Sequence, residues 1–267
     1  MRHASVEAGG FAGYPTSGVN VRIVRSLAVT ATVLSLFAAA LPAQTGTGKV
    51  QWRGVNGAWS SYNNSGTGSA LWNVYTSPYK AGFQINQAPS PLLPPAGTST
   101  FGPTVDIFCV DFIHYANTGT YDAYFTNLGS NAADINTYTR NGRTLQEYLE
   151  AAFLAQEIES VGANSAAAGD INGAIWQIMN GEPKYRWTGS GWSATGINNW
   201  ISLAESNWKT VNANYWVVVT DKLAAGNETG GSQEYLTQVT PEPATLLLLG
   251  SGLLAMIAAG VVRRRLV

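Results

Sequence analysis

The last 28 residues, Thr240 to Val267, constrain this chain most, because they are too apolar to form the surface of a globular domain. An uncharged run of 19 residues from Ala244 to Val262 is followed at once by Arg263, Arg264 and Arg265. At about 1.5 Å per residue, such a helix spans roughly 28 Å, close to the hydrocarbon thickness of a bilayer. The arginines stay on the cytoplasmic side by the positive-inside rule. The sequence therefore predicts a transmembrane helix over residues 244–262 that anchors the chain in the inner membrane, with everything before it outside.

A Pro-Glu-Pro triplet, formed by Pro241, Glu242 and Pro243, stands directly before this run. The triplet, one apolar span and a terminal arginine cluster, in this order, resemble the PEP-CTERM sorting signal of Gram-negative bacteria. The resemblance covers residues 240–267. It implies that an exosortase, a membrane protease-transpeptidase, cleaves near the triplet and passes the protein to the cell surface or the extracellular matrix.

The first 43 residues predict a signal peptide region. Two arginines precede an apolar stretch from Leu27 to Ala40, and the small-residue exit Leu41-Pro42-Ala43 follows. This arrangement is typical of secretory signals, so signal peptidase is an expected partner, with cleavage after Ala43 or after Ala40. Residues 1–20 are polar and Gly-rich, which leads to the hypothesis that translation starts nearer Val21.

The remaining residues, 44–239, are enough for one exported domain with a real core. They carry nine Lys/Arg and fourteen Asp/Glu, a formal net charge of −5, and no basic patch, which argues against nucleic acid as a partner. Cys109 is their only cysteine, so an internal disulfide framework is excluded. His114 is their only histidine, so a metal cluster built on His and Cys is excluded on count. No cofactor is expected.

The domain is predicted to be α+β, a β-rich sandwich or barrel-like unit with a helical insertion of about three helices. Short apolar or aromatic runs between Gly/Asn/Ser clusters predict strands at 50–55, 71–75, 83–85, 105–113, 121–126, 215–220 and 234–239. Residues 88–103 contain five prolines and predict a loop.

Helical spacing of apolar residues predicts the insertion. One helix follows a capping box at Thr144 and Glu147 and stops at Gly162, a second runs from Asp170 to Asn180 before Gly181, and a third is capped by Thr195.

One constellation in this domain resembles the thioester domains of bacterial surface adhesins. It combines a cysteine between aromatic residues, at 108–112, with a predicted helix start that ends in an apolar residue and Trp, at 172–176. Residues 151–154 and 233–236 complete the resemblance. In that family the cysteine sulfur displaces ammonia from a Gln amide, and the strained acyl group is then attacked by amines. The resemblance covers most of residues 71–239. It places Cys109 on the nucleophile and Trp176 on the motif tryptophan, and it implies an amine-bearing surface as a partner.

At the position of the family's Gln, however, this chain has Asn172, which is one methylene shorter. Ring closure depends on placement of the reacting atoms and is sensitive to such a change. Gln177 is near in sequence on the same helix. Three interpretations of Cys109 stay open: a thioester with Asn172 or Gln177, a small buried core residue, and an intermolecular disulfide.

Conventional catalysis is not expected, and the protein is predicted not to be an enzyme. Cys109 and His114 are five apart, as are Asp106 and Asp111, so on one extended strand the members of each pair face apart. No Gly-x-Ser-x-Gly elbow and no phosphate loop is present. A hydrolase would need a carboxylate pair, for which Glu147, Glu157 and Asp170 are the candidates, although the first two are better explained as helix-surface residues.

The nine tryptophans raise a separate possibility, a carbohydrate-binding platform. Trp187 and Trp192 flank Thr188-Gly189-Ser190-Gly191, a predicted exposed loop, and are the candidate glycan-stacking pair. Trp52, Trp59 and Trp72 also lie in Gly/Asn/Ser-rich sequence, and most of the others are expected in the core. The sequence as a whole predicts an exported, surface-sorted protein with a structural or adhesive role. The alternatives are a secreted module that binds a surface polysaccharide and a covalent thioester adhesin.

Overall fold

The structure, a computed structural model, describes residues 45–57, 59–63, 71–87, 100–130, 132–140, 142–181, 193–227 and 230–239. The predicted signal peptide, the Pro-Glu-Pro triplet, the predicted transmembrane helix, Trp187 and Trp192 all lie outside these residues. In the described ranges, no helix combines the length and the hydropathy that crossing a bilayer requires.

Six strands close into an antiparallel barrel in the order β1-β4-β5-β8-β7-β6. A separate two-stranded sheet is formed by β2 and β3. The bounds are β1 Thr45–Val55, β2 Trp59–Asn63, β3 Leu71–Tyr75, β4 Tyr79–Gln87, β5 Val105–Cys109, β6 Thr120–Asn127, β7 Trp216–Asp221 and β8 Tyr235–Gln238. The predicted β-rich architecture is therefore confirmed, as a barrel.

The inside of the barrel follows from the period-2 pattern of its strands. On β4, Tyr79, Ala81, Phe83 and Ile85 are buried, while Lys80 and Gln84 on the other face are half-buried, as expected for a strand with one face inward. Phe83 packs edge-on against Phe125 of β6 with ring centroids 5.1 Å apart. A Cβ on Gly48 of β1 would lie 3.1 Å from the Phe125 ring and 2.2 Å from the Gln84 carbonyl oxygen. Glycine is thus required where β1 passes this ring pair.

Four described helices lie between β6 and β7 in the chain, one more than the sequence predicts. They are α1 Ala132–Tyr138, α2 Leu145–Val161, α3 Ala166–Asn180 and α4 Ala194–Asn207. The predicted α2 is confirmed together with its capping box, since Thr144 accepts the Glu147 N–H while the Glu147 carboxylate accepts the Thr144 N–H. The short helix α1 was not predicted.

The predicted starts of α3 and α4 are wrong. α3 begins at Ala166 after its cap Ser165, not at Asp170, and Ser193, not Thr195, caps α4. The three alanines after Ser165 are strong helix formers and extend α3 backward by four residues. The Asp170 carboxylate instead accepts the Ser193 N–H at 2.6 Å, so it holds the start of α4 from one turn inside α3.

The predicted strand over 105–113 is also too long. β5 ends at Cys109, and after Val110 the chain leaves the ladder because Asp111 turns to pair with Arg140, 2.6 Å from carboxylate Oδ2 to guanidinium Nε. His114 is therefore not on the strand, and the argument that Cys109 and His114 face apart on one strand does not apply.

The helical layer covers one side of the barrel and buries a carboxylate beneath it. All six residues of β7 are buried, which requires cover on both faces. Glu234, next to β8, accepts hydrogen bonds from Thr220 at 2.6 Å, from the Tyr148 hydroxyl of α2 at 2.6 Å and from the Arg140 backbone N–H at 3.0 Å. Burial raises the pKa of Glu234 above its ordinary value, although these three donors oppose the shift.

This raised pKa gives a prediction for stability against pH. A carboxyl with a higher pKa in the folded than in the unfolded state binds its proton more tightly when folded, so its contribution is present at low pH. The free energy of unfolding should fall as pH rises from the ordinary Glu value, about 4.3, through the folded-state pKa of Glu234. In Glu234→Gln, which keeps an acceptor for Thr220 and Arg140, this component should vanish from urea-unfolding free energies measured between pH 4 and 8. Parallel curves for the two proteins would contradict the prediction.

Candidate functional site: the cleft at the barrel mouth

A cleft of about 390 Å³ opens at the end of the barrel where β1 and β5 finish and β4 begins. Its floor is aromatic. Trp52 packs on Tyr79 with ring centroids 5.1 Å apart, and Phe112 packs on Trp176 of α3 at 4.6 Å. Tyr79, Phe112 and Trp176 are almost fully buried, so these ring pairs give the cleft a rigid base.

The rim of the cleft exposes an unusual amount of apolar surface. Val55, Tyr75, Ile113 and Tyr115 are 37, 42, 47 and 77 % exposed. They are four of the seven large apolar side chains that the structure describes as exposed, and all four line this one cleft. Exposed apolar residues that gather around a concavity are a mark of a binding surface.

The cleft has few polar side chains. His114, Thr118 and Gln233 line it, and none of the fourteen described lining residues is Lys, Arg, Asp or Glu. The Nδ1 atom of His114 lies 2.9 and 2.8 Å from the two oxygens of Asp111. Nδ1 donates its hydrogen to this carboxylate, so Nε2 is the ring nitrogen left for other partners.

One segment of the rim, residues 113–118, is held in place by hydrogen bonds near both of its ends. The Ile113 N–H donates to Asp111 Oδ1 at 3.2 Å and the Gln233 N–H donates to the Tyr115 carbonyl at 3.2 Å. The Asn117 N–H donates to the Ser232 hydroxyl at 2.9 Å. A rim tied in this way loses little conformational entropy when a ligand binds.

Below the rim, Asp111 is itself fixed by the buried guanidinium of Arg140. Arg140 also donates to the Ser232 carbonyl at 2.5 Å and to the Asn227 carbonyl at 3.2 Å. Asp111 thus contacts Arg140 on one side and His114 on the other. The placement of His114 in the cleft depends on these contacts.

Cys109 lies deeper than the cleft, on the inward face of β5. Its register partner on β8 is Tyr235, and β4 places Tyr79 on the same inward face. Burial raises the pKa of the Cys109 thiol strongly, and the negative charge of Asp111 adds to the shift. The sulfur is therefore held as a thiol, whereas nucleophilic attack needs the thiolate.

Asn172 is close to Cys109 through a shared neighbour, Ser77. The Cys109 N–H donates to the Ser77 hydroxyl at 2.8 Å, and the Ser77 N–H donates to Asn172 Oδ1 at 2.9 Å. Asn172 Nδ2 donates to the Ala168 carbonyl at 2.8 Å. Both ends of the Asn172 amide are thus engaged in buried hydrogen bonds.

A polar stripe on α3 explains why Asn172 is present. Asn172, Trp176 and Asn180 recur at a spacing of four residues and so lie on one helix face. Trp176 Nε1 donates to the Cys109 carbonyl at 3.1 Å, and Asn180 Nδ2 donates to the Val110 carbonyl at 3.5 Å. The stripe therefore satisfies backbone groups where β5 leaves the sheet. Gln177, five residues after Asn172, lies off this face and is half-buried.

The other candidates from the sequence are separated. Asp106 pairs with Lys80 at 2.6 Å on the outside of the barrel, Glu147 is used in the α2 cap, and Asp170 holds α4. Among the residues that the structure describes, no group of three His, Cys, Asp or Glu side chains is placed to hold a metal ion. Trp52, one of the tryptophans in Gly/Asn/Ser-rich sequence, lines the cleft, and the predicted glycan-stacking pair Trp187 and Trp192 lies outside the described residues.

Sequence reasoning missed most of the cleft. Tyr75, Tyr115 and Gln233 come from three distant segments that the sequence does not predict to meet, and His114 is weighed there as a metal ligand and as a partner for Cys109, not as part of a cleft. A local signal existed, since Phe112, Ile113 and Tyr115 continue an apolar run past the point where Asp111 ends the strand.

The stripe on α3 gives a prediction for folding stability. Asn172→Leu should lower the free energy of unfolding by about 2–3 kcal/mol, because it leaves the buried Ser77 N–H without its acceptor. Asn198→Leu, at an exposed position of α4, is the matched control and should change it by no more than about 0.5 kcal/mol. Urea unfolding measures both, and equal effects of the two substitutions would contradict the assignment.

The thioester hypothesis is testable by intact mass. Because Cys109 is held as a thiol and the Asn172 amide is engaged, the purified protein should have the mass of the unmodified chain and should not change with methylamine. A mass lower by one ammonia, restored as an adduct by the amine, would contradict this expectation and establish the thioester, and peptide mapping would then tell Asn172 from Gln177.

Comparison with known proteins adds one assignment. Residues 239–265 match the PEP-CTERM protein-sorting motif. No curated protein and no solved structure matches the chain, and nothing supports the resemblance to thioester domains. The matched motif covers only the C-terminal segment, and it indicates an exported surface protein that an exosortase sorts.

Proposed function

We propose that residues 44–239 form a structural or adhesive module, without catalytic activity, that is displayed at the cell surface or in the extracellular matrix after exosortase cleavage. The observation that carries the proposal is the sorting motif at residues 239–265. Signal peptidase and the inner membrane, through the predicted helix over 244–262, complete the expected partners.

The position of the motif relative to the fold supports this function. The closing strand β8 ends at Gln238, and the Pro-Glu-Pro triplet at residues 241–243 begins three residues later. Cleavage within the triplet therefore removes no strand of the barrel. The exported module keeps its whole core, as a lasting surface role requires.

The test is to replace Pro241, Glu242 and Pro243 together with alanine and to follow the protein in a host that has an exosortase. The triple variant should stay in the inner-membrane fraction at its uncleaved mass, while the wild-type protein appears at the surface as a shorter chain. Pro103→Ala, at an exposed position outside the motif, is the control and should be processed like the wild type. Surface display of the triple variant at wild-type level would refute exosortase sorting.

Binding of a surface polysaccharide is the second candidate, and the aromatic cleft at the barrel mouth favours it over attachment to an amine-bearing surface. An amine-binding role needs a reactive acyl group, whereas the cleft already presents exposed rings and neutral polar groups.

A further inference from the structure

We infer that the cleft at the barrel mouth binds a short segment of a neutral polysaccharide, stacked on the rings of Tyr75, Tyr115 and Trp52. The inference rests on the proposed surface role and names its ligand class. It assigns a site that differs from the tryptophan pair predicted from sequence.

The rings are the first argument. A pyranose presents a patch of C–H groups on one face and hydroxyls around its edge, so it packs well on an amphipathic aromatic side chain. Tyr115 is 77 % exposed and Tyr75 is 42 % exposed, and both stand on the rim above the packed pair of Trp52 and Tyr79. The cleft therefore presents the exposed rings of Tyr75 and Tyr115 and the partly buried ring of Trp52.

The charge of the cleft is the second argument. Its described lining lacks Lys, Arg, Asp and Glu, while the imidazole of His114, the Thr118 hydroxyl and the Gln233 amide supply donors and acceptors. Neutral hydroxyls match such groups, whereas a phosphate or an acidic sugar would find no Lys or Arg in this lining as a counter-charge. The lining therefore selects an uncharged, hydroxyl-rich ligand.

The closed barrel is the argument against a peptide. Every barrel strand has a hydrogen-bonded neighbour on both sides, so an extended peptide has no edge of the barrel to add to, and the separate β2–β3 sheet is the described sheet with open edges. The volume of about 390 Å³ lies at the lower end of the range for small-molecule sites and suits a few sugar residues.

The experiment measures binding of neutral oligosaccharides, namely gluco-, manno-, galacto- and xylo-oligomers of three to six units, to the purified full-length protein by titration calorimetry. We expect one of these series to bind. Tyr115→Ala should weaken this binding at least about tenfold by removing a stacked ring. Tyr215→Ala, which removes a 37 % exposed tyrosine away from the cleft, should leave it unchanged. An unchanged thermal midpoint checks that each variant is folded.

A second readout reports on the cleft directly. The chain has two histidines, His3 and His114, so the imidazole NMR signals are few and assignable with a His3→Gln variant. The bound sugar should shift the Nε2 resonance of His114.

Absence of binding by every series at about 10 mM, equal loss in both tyrosine variants, or capture of a Pro-rich apolar peptide in place of sugar would overturn the inference. Tyr115→Ala should still be processed and displayed, so failure here is distinguishable from failure of exosortase sorting.

Discussion

The buried ion pair between Asp111 and Arg140 is the interaction on which the site depends. It joins the end of β5 to the segment between α1 and α2, and Arg140 extends the connection to the turn before β8 through the carbonyls of Ser232 and Asn227. Two charges of this depth are costly to desolvate, and the cost is offset in part because both terminal nitrogens of the guanidinium donate to backbone carbonyls. The same carboxylate positions His114. One pair thus ends a strand, anchors the helical layer and orients the cleft.

Much of the secondary structure was predictable because it rests on local chemistry. The capping box at Thr144 and the helical spacing after it place α2 correctly, and the aromatic run at 121–126 predicts β6. The errors arise where a distant partner overrides local preference. The apolar character of residues 105–113 is real, but the strand ends at Cys109 because Asp111 pairs with Arg140. These two residues are 29 apart in the chain, so no local pattern reveals the pairing. Asp is a residue type that favours helix starts, yet the Asp170 carboxylate accepts the N–H of Ser193, which caps the next helix.

The cleft itself was not predictable from one sequence. Its ring pairs join residues far apart in the chain, Trp52 with Tyr79 and Phe112 with Trp176, and their proximity follows from barrel closure. Asn172 shows the same limit in another form. The resemblance to thioester domains predicts a reactive amide at this position, whereas in the fold the Asn172 amide accepts from the Ser77 N–H and donates to the Ala168 carbonyl. A buried polar residue in a short motif is compatible with either role until its neighbours are known.

The place of β8 in the barrel determines when the module is able to fold. Although β8 is its last strand in the chain, it lies between β5 and β7, so these two are not joined until residues 235–238 are available. The barrel therefore closes only after almost the whole of residues 44–239 is available. The pairing of β8 with β5 joins Tyr235 to Cys109, and such long-range pairing is slow because distant strands must meet.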